Sequence, residues 1–224
     1  MTWLCHKQTD KTAQNKNNCY SCFFAKTYDL VFFPVMHPIR KKVASEINQS
    51  NCRVVIDMCC GTGNQIKYLK KLDLKKVIGI DISDNMLAVA SKSCENGMCI
   101  KKDAAKTDYA DNEFDAAILS FILHETTPQI ARKIANEASR IVKNNGCIFI
   151  TDYVFDKNTF TIAKMVSQLI ERLIGGQHFM NFKNYYKNNL LENYTSNLTL
   201  LAEHKFALGA VRTKIFKTNK SIVL

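Results

Sequence analysis

Unbroken apolar runs alternate along this chain with apolar residues spaced three or four apart, and that alternation predicts its architecture. Val54-Val55-Ile56 leads to Asp57 and two closely spaced glycines, and Ile66, Tyr68, Leu69 and Leu72 follow at helical spacing. A β-branched run without polar alternation is the pattern of a parallel strand buried on both faces. The unit then repeats. Lys76-Val77-Ile78-Gly79-Ile80 predicts a second buried strand ending in Asp81, and Ser83 is placed to cap the helix that starts in Ile82-Ser83-Asp84-Asn85-Met86-Leu87. Met98-Cys99-Ile100 predicts a third strand and residues 114–120 a fourth. Thr127-Pro128 opens a helix with a cap residue and a proline at its first position. Its core stripe is Ile130, Ile134, Ala138, Ile141 and Val142, with Arg132, Lys133, Glu137 and Arg140 on the solvated side. Gly146 is placed to end it in a left-handed cap, and residues 147–152 form a fifth strand. Strands alternating with helices predict a doubly wound α/β sheet.

The two ends depart from this rhythm. Residues 38–48 predict a helix with Pro38 tolerated in its first turn. Residues 156–195 exceed what a minimal alternating core needs. Ile162, Val166, Leu169, Ile170 and Leu173 there form the stripe of an amphipathic helix, opposite Lys164, Gln168, Glu171 and Arg172. Gly175-Gly176 breaks that helix, and aromatics follow around His178 and Tyr185. Residues 197–206 and 210–217 predict two strands about Ala207-Leu208-Gly209. The expected division is an N-terminal arm or lid (1–43), a ligand-binding core (44–155), a helical cap insert (156–195), and a hairpin with a polar tail (196–224), in a single domain overall.

Composition narrows the setting. A chain of 224 residues suffices for one such domain with a good core. No apolar run approaches the roughly 18 residues of a spanning helix, and the first residues lack a signal-peptide core, which predicts the cytoplasm. Nine cysteines, an odd number scattered through predicted strands and helices, read as reduced thiols. Cys5, His6, Cys19 and Cys22 lack a second close-spaced pair, and no metal is expected. The net charge of +11 is uneven: Lys and Arg outnumber Asp and Glu by 7 to 3 over residues 1–50, balance them at 14 each over 51–156, and exceed them by 10 to 3 over 157–224. A neutral core thus has basic flanks, which are either solvated surface or elements that meet a membrane surface, an acidic metabolite or a nucleic acid.

The candidate chemistry lies in the first glycine turn. A strand, glycine turn and helix let a ligand approach bare backbone at the carboxyl end of the strand. A pyrophosphate fingerprint needs a third glycine where Ile66 stands, and Asp57 would repel a diphosphate. A carboxylate there suits a cation. Asp81, at the end of the second strand, is placed for ribose hydroxyls. The block Asp57-Met58-Cys59-Cys60-Gly61-Thr62-Gly63 resembles motif I (D-x-G-x-G-x-G) of the class I S-adenosylmethionine-dependent methyltransferases, with Cys59 where the family has its first glycine. Asp103-Ala104 resembles the family's adenine-contacting pair, and Asp111-Asn112-Glu113-Phe114-Asp115 its approach to the fourth strand.

That resemblance, to the methyltransferase type 11 and ubiquinone/menaquinone methyltransferase group, implies a Rossmann-like sheet of seven mostly parallel strands. The last strand is antiparallel, and a small helical cap is added. It implies S-adenosylmethionine as cofactor, with Asp57, Cys59, Gly61 and Gly63 at its methionyl part, Asp81 at the ribose, and Asp103 with Ala104 at the adenine. Ile82 and Met86, after Asp81, and Ser120, at the end of the fourth strand, join this set. Tyr28, in a Tyr-Asp pair like one that precedes the group's core, is a candidate lid residue. At Ser120-Phe121-Ile122-Leu123-His124-Glu125 the (D/N)-P-P-(Y/F) signature of amino-group enzymes is absent, and no proline in the chain is followed by cysteine as in pyrimidine C5 enzymes. The local pattern is more similar to small-molecule methyltransferases. His124 is a candidate general base, or a helix-start hydrogen bonder. His178 and Tyr185 are further catalytic candidates on the acceptor side. The expected function is methyl transfer to a small-molecule acceptor of quinone-like, lipid-like or other anionic or aromatic kind. The alternatives are an RNA methyltransferase, favoured by the basic flanks but not by the missing signatures, and a non-catalytic cofactor-binding regulator. Peripheral membrane contact and oligomeric state are left open.

Overall fold

A computed structural model describes residues 14–92, 94 and 98–219, with side chains from residue 32 onward. Cys5 and His6, the side chains of Cys19, Cys22 and Tyr28, and the tail from 220 lie outside the described residues. The chain divides into two compact units, residues 1–104 and 105–224.

In the first unit a helix α1 (Gln14–Gln49) precedes β1 (Val54–Met58), α2 (Asn64–Leu69), β2 (Lys76–Asp81), α3 (Asp84–Ala90) and β3 (Cys99–Lys101). The three strands are parallel, in the order β3-β2-β1, with Val54 opposite Lys76 and Gly79 opposite Cys99. Val55, Ile56 and Met58 are fully buried, as an unalternating apolar strand requires, and each such side chain stabilises the fold by about 1.5–3 kcal/mol. Helix α1 is much longer than residues 38–48 and contains both Pro34 and Pro38. Ile39, Val43 and Ile47 recur every four residues and are all buried, which holds the stretch from residue 38 onward. Nothing in the described residues explains the helix continuing through Pro34 and Pro38, each worth about 3 kcal/mol against a helix interior.

The second unit holds β4 (Phe114–Ser120), α4 (Pro128–Ile141), β5 (Val142–Tyr153), α5 (Thr161–Ile174), α6 (Gly176–Lys187), α7 (Leu190–Tyr194), β6 (Leu198–Phe206) and β7 (Val211–Thr218). Its strand order is β4-β5-β7-β6. Strand β4 is parallel to β5, with Ile118 opposite Phe149, and β7 is antiparallel to both β5 and β6. The two units supply seven strands with an antiparallel β7, as expected.

Three local expectations need correction. Helix α4 ends at Ile141 and β5 already begins at Val142, so no left-handed cap forms at Gly146; within β5 it is Asn145 that is left-handed, at φ 62°. Gly146 is required for space instead, because a Cβ there would lie 2.6 Å from Val142 Cγ1 and 2.7 Å from the Asp115 carbonyl oxygen. Glu137 is buried rather than solvated: its carboxylate accepts from Thr107 N and Oγ1 and from Arg140. These bonds, the Arg140 bond foremost, hold its carboxyl down at about 2. Helix α5 is amphipathic, but its stripe points outward. Ile162, Leu169 and Leu173 are 64%, 57% and 78% exposed, while Ser167 and Glu171 are buried. The reason lies in what Glu171 touches.

Candidate functional site

The first unit builds a cradle at the carboxyl ends of β1 and β2. Beyond Met58 the backbone turns left-handed at Cys59 (φ 65°), Gly61 (φ 55°) and Gly63 (φ 72°). Cysteine in that region costs roughly 1–2 kcal/mol that glycine would avoid. A Cβ on Gly61 would meet nothing within 4 Å, so its backbone is open to a ligand, whereas one on Gly63 would lie 2.7 Å from Cys94 Sγ. The underside of the turn thus rests on thiols, which sequence reasoning treated only as reduced cysteines. The thiol of Cys99 accepts hydrogen bonds from Cys60 and Cys94, and these hold it down to about 7 against burial. Burial pushes Cys94 up to about 12.

Two acids close the cradle. Asp81 is buried, and its Oδ2 accepts from Gly61 N at 2.8 Å while Oδ1 accepts from Ser83 N at 2.9 Å. It therefore fixes the glycine turn and the start of α3, where Ser83 accepts from Met86 N as an N-cap. Asp57 is buried as well. Burial first, then Cys99 and Asp81, push its carboxyl well above the usual range, with Arg40 pulling the other way. A carboxylate in that state gains most from a cation placed beside it. Met86 and Ala104 are buried, Ile82 is half-buried, and Asp103 is exposed in the loop after β3. Open glycine backbone, left-handed turns and a raised buried acid fit a cationic, nucleoside-bearing cofactor.

The second unit brings all three acceptor-side candidates together. Strand β4 ends at the half-buried Ser120, and Phe121 is left-handed at φ 55°, pinned by its N–H to the Thr151 carbonyl at 2.8 Å. Such strain persists where the surroundings over-determine it, often at functional sites. The turn delivers His124 into the interior, where its Nδ1 donates to Asp152 Oδ1 at 2.5 Å. Its Nε2 lies 3.8 Å from Glu171 Oε1, and Glu171 Oε2 accepts from His178 Nε2. The Tyr153 hydroxyl also donates to Glu171. Ring centroids of His178 and Tyr185 lie 5.7 and 6.2 Å from that of His124. His124, Asp152, Glu171 and His178 are all at least 95% buried. Burial opposes charge on His124, but Asp152, with Glu171 and Glu125, outweighs it and raises the imidazole pKa. At Glu171 burial raises and the His178 bond, with both imidazolium charges, more than offsets it, so this carboxyl is lowered. Asn181 Nδ2 donates to the Glu125 carbonyl, tying α6 to the turn that bears His124.

The sequence reading missed Asp152 and Glu171. Asp152 lay at the end of a predicted strand, a usable signal given that ligands gather at the carboxyl ends of parallel strands. Glu171 was assigned to the solvated side because the apolar stripe marked the other side as core. Asp152 Oδ2 and the hydroxyls of Tyr185 and Tyr194 are buried without a hydrogen-bond partner among the described residues. Three such atoms beside one imidazole mark a place where a polar ligand gains free energy. His124, Glu171 and His178 also present ligand atoms within 4.8 Å of one another, as a metal ion would need. Glu171 accepts a hydrogen bond from His178 and faces His124 across 3.8 Å, so a carboxylate between two imidazoles already accounts for the arrangement. Beside the cluster, Tyr153, Phe155, Tyr185, Tyr186, Glu192 and Lys214 line a pocket with aromatic walls, one acid and one cation.

Residues 55–146 match the family model of a methyltransferase domain. Over that stretch the chain is similar to S-adenosylmethionine-dependent methyltransferases of class I. It is 33% identical over 114 residues to a demethylmenaquinone methyltransferase of Staphylococcus saprophyticus, covering 49% of this chain and 48% of that one. It is 30% identical over 133 residues to a demethylmenaquinone methyltransferase of Thermotoga maritima, covering 57% of each. The chain therefore spans about half the length of the curated relatives it matches. A crystal structure of a Pyrococcus horikoshii protein superposes with a TM-score of 0.62 at 20% identity, covering 86% of this chain and 91% of the other. At that identity the likeness concerns the fold, which is the Rossmann-like methyltransferase fold. The family's cofactor is S-adenosylmethionine, which the open backbone of Gly61 and the buried Asp57 fit. No helix among the described residues is long and apolar enough to cross a membrane.

Proposed function

We propose that this methyltransferase domain transfers the methyl group of S-adenosylmethionine to a small aromatic acceptor of quinone-like type, and that His124 receives the acceptor's proton. The observation that carries the reading is the buried Asp152–His124–Glu171–His178 chain beside an aromatic pocket at the carboxyl ends of β4 and β5. S-adenosylmethionine, when bound, supplies an electrophilic methyl on a sulfonium. Asp57 and the open backbone of Gly61 would hold its cationic methionyl end, with Cys59 and Gly63 shaping the turn. Asp81 would take the ribose, Ile82 and Met86 would flank the nucleoside, and Asp103 with Ala104 would meet the adenine. Ser120 ends β4 in the second unit.

Such a displacement needs chiefly alignment, and the chain supplies it through rigid strand ends. Its own chemical task is a proton. Asp152 fixes the proton of His124 on Nδ1, so neutral His124 offers Nε2 as acceptor. The imidazolium that forms is stabilised by Asp152 on one side and Glu171 on the other. His178 holds Glu171 in place. Tyr185, with its hydroxyl buried beside Asp152, is a donor for an acceptor oxygen. The relatives' names, demethylmenaquinone methyltransferases, favour a ring of the same class.

The test is transfer of labelled methyl from S-adenosylmethionine to a soluble naphthohydroquinone. Label in the methylated ring product, lost in His124→Gln, is the expected result. Label only in RNA, or in no acceptor while the cofactor binds, would overturn the reading.

A further inference from the structure

Helix α5 turns its apolar stripe away from the protein. Ile162, Met165, Val166, Leu169 and Leu173 are each at least half exposed, and Phe160 before the helix and Met180 on α6 share that exposure. Ser167 and Glu171 occupy the buried side, with Glu171 engaged by His178. A soluble monomer rarely leaves so continuous an apolar stripe uncovered, and one on an amphipathic helix marks a surface that is covered in use. The charge around it selects the cover. Over residues 157–187 the cations Lys157, Lys164, Arg172, Lys183 and Lys187 are all exposed, and the one acid in that stretch, Glu171, is buried. Asp156, just before it, is held by Arg212. The exposed charge bordering the stripe is thus wholly positive. A second copy of the chain packed face to face would bring like charges together, because a two-fold interface uses the same patch twice. An anionic surface with an apolar interior answers both features.

We propose that α5, with Phe160 and Met180, is a docking face for an anionic lipid bilayer. The helix lies in the plane of the interface, its stripe enters the acyl boundary, and the five cations meet anionic headgroups. The opposite face of the same helix carries Glu171 of the buried cluster, so docking would bring the acceptor side of the domain to a membrane. The inference rests on exposure and charge alone, and the methyl-transfer assay above, with its soluble acceptor, stands or falls separately.

The experiment is vesicle co-sedimentation of the full chain. Vesicles of mixed phosphatidylglycerol and phosphatidylcholine are compared with pure phosphatidylcholine, for wild type and for Leu169→Asp/Leu173→Asp. Both leucines are exposed, and circular dichroism with cofactor titration confirms that the double variant is folded. Wild type should bind the anionic vesicles at least about tenfold more tightly than neutral ones, with the preference weakened by salt, and the double variant should lose about tenfold or more. Absence of wild-type binding, or equal binding by the variant, would overturn the proposal. So would concentration-dependent self-association of wild type, abolished by the variant and unaccompanied by vesicle binding, because the cover would then be a second copy.

Discussion

Each unit of this chain has a pair of buried acids at its candidate site, and the two pairs keep opposite company. Asp81 has its oxygens on the backbone N–H groups of Gly61 and Ser83, and Asp57 is buried beside Cys99, so burial drives its carboxyl up. Asp152 and Glu171 instead face imidazoles, and Glu171 is driven down. A buried acid left short of a cation is poised to receive one from a ligand. A buried acid already facing a protonatable ring holds a proton where chemistry needs it. The difference is the one that the proposed donor and acceptor sites would require.

The largest expected effect breaks the second pair at its centre. His124→Gln should lower the turnover rate by about 10²–10⁴-fold, the usual worth of a positioned base, with cofactor affinity unchanged; rapid-quench single turnovers would measure it, and an unaltered rate would remove His124 from the chemistry. Next, removing an acid should act oppositely in the two units. Glu171→Ala leaves the buried His178 without its carboxylate and His124 with its Asp152 bond alone, and should cost about 3–5 kcal/mol in urea unfolding. Asp57→Asn, measured without cofactor, should stabilise by about 1 kcal/mol or more, because a pKa shift of one unit is worth about 1.4 kcal/mol.

The signs with pH follow from the directions. Glu171 is lowered, so its contribution is present above its unfolded value and lost as pH falls through the folded one. Asp57 is raised, so wild type loses stability relative to Asp57→Asn as pH rises through the ordinary carboxylate range. His124 is also raised, so its contribution is complete below about pH 6.5 and lost as pH climbs through its folded value. Thermal melts from pH 3 to 9 on wild type and the three variants should therefore show limbs of opposite slope, and parallel curves would refute the contrast. The smallest effect concerns Cys59. With φ at 65°, Cys59→Gly should relieve strain and change stability by only about 0.5–1 kcal/mol, favourably, as chemical denaturation would read.

Much of the first site was legible in the sequence because its parts are local. Strand, glycine turn and helix N-cap are written within a dozen residues, and Asp57, Gly61, Gly63, Asp81 and Ser83 occupy the positions their spacing implied. The second site is assembled from residues far apart in the chain. His124, His178 and Tyr185 could be nominated as titratable or aromatic residues near predicted strand ends and breaks, but nothing local joined them. Their linkers, Asp152 and Glu171, were hidden for different reasons. Asp152 looked like an ordinary strand end. Glu171 was misplaced because amphipathic periodicity identifies an apolar face without saying whether that face meets a core. Likewise Pro34 and Pro38 argued for a short helix, and the burial of Ile39, Val43 and Ile47 accounts only for the part that follows them.

The central claim is that the cradle of the first unit awaits the cationic methyl donor, and calorimetric titration with S-adenosylmethionine tests it most directly. Wild type should bind, and Asp57→Asn should bind about 30-fold or more weakly, since one partner of a buried charge pair has been removed. Equal affinities for the two proteins, or no binding by either, would contradict the account.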